Sequence, residues 1–101
     1  MNKERRKAIC SIIEHLNELN QKMMALSQDL EDTKDAIDDI LDEEEEYRDN
    51  MPENLQGGER YDKADQACDH LSSAVDHIDN IISAMDKEYE DVLCYLESAI
   101  I

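Results

Sequence analysis

Apolar residues recur along the first half of the chain at alternating steps of three and four: Ile9, Ile12, Leu16, Leu19, Met23, Leu26, Leu30, Thr33, Ile37, Ile40, Glu44, Tyr47 and Met51. Only Thr33 and Glu44 depart from apolar character, and no Gly or Pro interrupts the run, so the spacing predicts one helix over residues 2–48. At 1.5 Å per residue such a helix is about 70 Å long. A second seam runs Tyr61, Ala64, Cys68, Leu71, Val75, Ile78, Ile82, Met85, Tyr89, Val92, Leu96 and Ala99, and predicts a helix over 59–100. Between them Pro52 disfavours helix at Met51, and Gly57 and Gly58 allow positive φ, so residues 49–58 form the turn. Glu59 and Asp62 complement the exposed N–H groups of the second helix's first turn. The expected architecture is all-α: one domain over 1–101, two long antiparallel helices forming a helical hairpin.

A second apolar stripe beside the seam of the second helix changes that picture. Ala67, Ala74 and Ile81 form it, with Leu93 and Ile100 on the opposite flank near the C-terminus. One partner helix cannot cover so much, since a folded chain of this size buries about 60–70% of its unfolded surface. A homo-oligomer is expected, most simply a dimer completing a four-helix bundle, with Ala67, Ala74, Ile81 and Leu93 in the interface. The alternative is a monomer in which a break near residues 86–90 folds a third segment back.

Composition narrows the class further. With no Phe, no Trp and only four Tyr, a sheet core would lack its usual filling. No apolar run approaches the roughly 18 residues of a membrane span, and the basic start Lys3, Arg5, Arg6, Lys7 leads into Glu14, His15, Asn17 and Glu18 rather than into a signal-peptide core. A cytoplasmic protein is expected. Cys10, Cys68 and Cys94 have no Cys-x-x-Cys spacing; Cys68 reads as a small core residue, Cys10 and Cys94 as exposed thiols.

Charge is the strongest single feature. The net charge is −17, which opposes direct binding to nucleic acid or an anionic membrane and favours basic partners. Residues 29–49 hold twelve acids against Lys34 and Arg48. Asp42–Glu46 crowd the end of the first helix, where the macrodipole disfavours each anion by a few tenths of a kcal/mol. Such a conflict between local preference and sequence marks a candidate functional surface, here Asp35, Asp38, Asp39, Asp42, Glu43, Glu45, Glu46 and Asp49. The simpler reading is an acidic face that keeps a small protein in solution. The basic cluster Lys3–Lys7 lies at the other end of the hairpin, which favours antiparallel pairing of two copies.

Catalytic and metal chemistry find no support. His70 and His77 lie seven residues apart, whereas helical metal pairs need steps of three or four. There is no Gly-x-Ser-x-Gly, no phosphate loop and no EF-hand spacing, and carboxylates along a solvated helix lack the contrasting environments of an acid–base pair. No cofactor and no enzymatic activity are expected.

The segment Asn50-Met51-Pro52-Glu53-Asn54-Leu55-Gln56-Gly57-Gly58-Glu59-Arg60-Tyr61-Asp62-Lys63-Ala64 resembles one recurring in small, uncharacterised acidic helical-hairpin proteins of Firmicutes bacteria and their phages. There the position of Gly58 is more often Ser. The resemblance implies a bacterial or phage origin and no particular activity. Small acidic proteins of phages and mobile elements often look like inhibitors that imitate nucleic acid, which is an analogy of context. Three functions follow as expectations: an acidic interaction protein that occupies a basic nucleic-acid-binding surface of a bacterial protein, an oligomeric structural or adaptor coiled-coil module, and a bundle that sequesters a ligand between protomers.

Overall fold

The computed structural model describes residues 1–101. It is a helical hairpin: α1 spans Lys3–Asp49, a single 3-10 turn covers Glu53–Leu55, and α2 spans Glu59–Ala99. Each boundary falls within a residue or two of the one the heptads predict. No break occurs near residues 86–90, so α2 does not fold back as a third segment.

Helix α1 starts where Asn2 caps it. The Arg5 backbone N–H donates to Asn2 Oδ1 at 2.8 Å, satisfying one of the orphan donors of the first turn. It ends at Asp49, shortly before Pro52, which has no N–H to extend the ladder; Asn50 N–H donates to Glu46 O at 3.0 Å and Met51 N–H to Arg48 O at 3.3 Å. The turn is then held by Leu55 N–H to Pro52 O at 2.9 Å, Gly58 N–H to Leu55 O at 3.0 Å, and Gln56 Nε2–H to Met51 O at 3.1 Å. Neither glycine uses positive φ, contrary to the sequence expectation. Gly58 instead permits close approach: a Cβ there would lie 3.2 Å from the Leu55 carbonyl oxygen.

The chain divides into two compact units, Leu30–Asn80 and Met1–Asp29 with Ile81–Ile101. In the first, Lys34 Nζ lies 3.0 Å from Asp79 Oδ1 and Arg48 Nη1 lies 3.0 Å from Asp65 Oδ1. Fourteen residues forward along α1 thus correspond to fourteen backward along α2, which is antiparallel register. Met51, Ala64 and Cys68 are buried here, at 9%, 3% and 4% exposure. Ala64 and Cys68 stand one helical turn apart on α2. In the second unit no side chain is fully buried. Ile9, Ile13, Leu16, Leu19 and Met23 of α1, and Ile82, Met85, Tyr89, Leu93, Leu96 and Ile100 of α2, are half-buried. Tyr89 Oη donates to the Leu16 carbonyl oxygen at 3.1 Å and lies 3.2 Å from Asn17 Oδ1.

The seam of α1 is turned by one residue from the expected one. Ile9, Leu16, Met23, Leu30, Ile37 and Glu44 belong to both registers, but Ile13, Ser27, Lys34, Leu41 and Arg48 are half-buried where Ile12, Leu26, Thr33, Ile40 and Tyr47 were expected. Ile12, Leu26, Ile40 and Tyr47 remain 50–53% exposed. In the Leu30–Asn80 unit the cause is legible. Lys34 and Arg48 lay their aliphatic stems along the seam and carry their charged heads to acids of α2, a use of the side chain that hydropathy does not register. On α2 the expected seam is followed from Tyr61 to Tyr89. Beyond it the step lengthens to four, so Leu93 and Ile100 replace the exposed Val92 and Ala99.

Candidate interaction surface

The Leu30–Asn80 unit carries eighteen acidic residues against four basic ones, a net −14 of the chain's −17. Eleven of the acids are on α1; Glu53, Glu59, Asp62, Asp65, Asp69, Asp76 and Asp79 are in the turn and on α2. The sequence reading assigned partner binding to α1 acids alone; these seven are scattered from Glu53 to Asp79 and form no conspicuous run.

All eight candidate partner-binding acids lie on α1 within this unit, but they are not equivalent. Asp38 and Glu45, seven residues apart, are half-buried. Asp49 accepts from Arg48 Nε at 2.9 Å. Asp35, Asp39, Asp42, Glu43 and Glu46 are exposed and make no ion pair. Of the eight candidates, those five are the most available to a partner.

Three of the unit's four basic residues are already engaged. Lys34 bonds Asp79 and, at 3.2 Å, Glu31; these bonds raise its pKa well above the ordinary lysine value. Arg48 is likewise raised, chiefly by its bond to Asp49. Lys63 pairs with Glu59 at 3.0 Å. Arg60 is the fourth, and with Tyr47, Asn50, Met51, Pro52 and Leu55 it lines a pocket of about 280 Å³ at the turn. Sequence reasoning missed this pocket. Its signal was Leu55, an apolar residue among Glu53, Asn54, Gln56 and two glycines, four positions after the last seam residue Met51.

The remaining candidates fall as follows. Of the expected oligomer contacts, Ala67 and Leu93 are half-buried, whereas Ala74 and Ile81 are exposed. Cys10 and Cys94 are exposed and Cys68 is buried, as read from the seam. Burial pushes the Cys68 thiol pKa up; Arg48 opposes the shift, and Glu45 and Glu44 add to it. His70 and His77 are exposed, and no three His, Cys, Asp or Glu side chains converge as a metal group. No helix is long and apolar enough to cross a membrane.

No protein-family model matches the chain, and no curated protein or solved structure matches it either. The candidate surface therefore rests on its own chemistry.

Proposed function

We propose that this chain is a non-enzymatic acidic interaction protein that occupies a basic, nucleic-acid-binding surface of a bacterial protein. One observation carries the reading: five exposed carboxylates without ion pairs, Asp35, Asp39, Asp42, Glu43 and Glu46, lie on one helix of a unit whose net charge is −14. A solvated acidic face requires no such concentration, since the same acids spread along both helices would keep the protein equally soluble. Gathered in one unit, they create a field that speeds encounter with a positive groove and repels acidic bystanders. The resemblance around Asn50–Ala64 to proteins of Firmicutes and their phages is consistent with an inhibitor that takes the place of DNA.

The test is capture of bound proteins from a bacterial lysate, followed by competition with duplex DNA and a salt titration. A partner displaced by DNA and weakened steeply between low and physiological salt is expected, because exposed charges are screened within about 8 Å at 0.15 M. Asp39→Asn, Asp42→Asn, Glu43→Gln and Glu46→Gln together should abolish capture while circular dichroism stays helical. Full capture by that variant would reject the reading.

Oligomerisation is the second reading, either as a support for the first or as an adaptor role of its own. What favours it is apolar exposure: Ile12, Leu26, Ile40, Tyr47 and Ile81 are large, exposed side chains on a chain with only three buried residues. A dimer forming a four-helix bundle would cover them. Light scattering that gives the monomer mass across micromolar concentrations would exclude it.

A further inference from the structure

The pocket at the turn is a concave feature of the acidic unit, and its lining differs from the surface around it. Met51 forms a buried part, Pro52 is rigid, and Tyr47 and Leu55 stand 51% and 46% exposed. Two large apolar residues are thus left in water at the edge of a strongly acidic unit. At about 280 Å³ the space lies below the range of roughly 300–1,000 Å³ that encloses drug-sized ligands, so it suits one side chain rather than a cofactor. The three hydrogen bonds that close the turn hold Pro52, Leu55 and Met51 in place before anything binds. A preformed seat saves the ordering entropy that a flexible loop would lose on binding.

Charge decides what can sit there. A cation inside the pocket would meet Arg60, the one basic residue of the unit outside an ion pair. An anion would have to enter a unit of net −14. An uncharged ring meets neither penalty. Its face can receive the Arg60 guanidinium, and it can pack offset or edge-on against the Tyr47 ring. The residues flanking such a ring would meet Glu43, one helical turn before Tyr47, and Glu46, both exposed and unpaired, as well as Glu53 in the turn.

We infer that the pocket lined by Tyr47, Met51, Pro52, Leu55 and Arg60 seats one aromatic side chain of a basic partner segment, in which Lys or Arg residues flank the aromatic. This rests on the acidic-surface reading and assigns it an anchor. The acids set encounter rate and salt dependence; the pocket sets which basic segment stays bound.

Two synthetic peptides test it against the full chain at 0.15 M salt. Both are rich in Lys and Arg and identical but for a central Trp in one and Ala in the other. The Trp peptide should bind about tenfold tighter. Because the chain has no Trp, the peptide's indole emission reports its own environment and should shift to the blue on binding. Tyr47→Ala and, separately, Leu55→Ala should erase the preference for Trp and leave the Ala peptide's affinity unchanged; both sites are half-exposed, and circular dichroism checks the fold. Equal binding of the two peptides, an unshifted emission, or a Trp preference that survives both variants would overturn the pocket and leave the acidic surface standing. Failure of both peptides to bind would overturn the acidic surface as well. Self-association of the chain that disappears in Tyr47→Ala would make a second copy the occupant, and would also overturn the proposal.

Discussion

The two compact units are built from the same two helices, yet they differ in both charge and packing. Leu30–Asn80 holds a net −14 and all three buried residues; Met1–Asp29 with Ile81–Ile101 holds −3 and none. Charge repulsion alone would make the acidic unit the looser of the pair. It is instead the one with Ala64 and Cys68 on its seam, and the one in which Lys34 and Arg48 each bridge α1 to α2. The near-neutral unit packs larger side chains such as Leu16, Met85 and Leu96 at half burial, and Tyr89 hydrogen-bonds across to α1. The lesson is that net charge does not predict burial: the unit with the larger charge holds the three buried side chains, beside two ion pairs that join the helices.

Breaking the packed unit should give the largest effect. Met51→Ala removes the apolar side chain that joins α1 to the turn, and should cost about 2 kcal/mol, the low end for truncating a buried methionine, because the site borders solvent. Urea unfolding measures the loss, and hydrogen exchange should show protection falling first within residues 30–80. A loss confined to the other unit would show that the contrast in burial is not a contrast in stability.

A smaller effect is expected from Tyr89→Phe, which keeps the ring and removes the O–H donated to the Leu16 carbonyl. The cost should be about 1 kcal/mol, the usual net worth of one hydrogen bond. Exchange protection should fall around Leu16 and Tyr89 and hold around Ala64. Equal loss at Ala64 would mean that the two units do not open separately.

The smallest effect is in pH dependence. The buried Cys68 thiol has a raised pKa, chiefly through desolvation, so folding favours its protonated form. Its contribution is fully present below the unfolded thiol value of about 8.5, and is lost as pH rises through the higher folded value. Stability should therefore decline in mildly alkaline solution, and Cys68→Ala should flatten that slope. At neutral pH a maleimide should label Cys10 and Cys94 well before Cys68. Rapid labelling of Cys68 would place it in an open rather than a packed seam.

Much of the fold was legible because two features of it are local. Apolar steps of three and four over more than forty residues specify a helix whatever surrounds them, and Pro52 ends one wherever it stands. Hence both helices and the turn fall where the pattern put them. The acidic concentration was legible too, since it is a count along the chain. By contrast, which carboxylates are free was not: Asp38, Glu45 and Asp49 look like Asp39, Asp42 and Glu46 in the sequence, and only the neighbouring helix and Arg48 distinguish them.

What the sequence determined by itself was therefore the helical class, the helix bounds, and the placement of charge. The tertiary structure decided the facing of α1, the role of the glycines and the pocket at the turn. A heptad pattern fits two registers that share every second position, and the choice between Ile40 and Leu41, or Tyr47 and Arg48, depends on what α2 offers across the seam. Asp65 and Asp79 offer carboxylates there, so the cations turned inward and Ile40 and Tyr47 turned out. That choice left Tyr47 at the mouth of the pocket, and it was made by a helix whose nearest residue lies more than ten positions away in the chain.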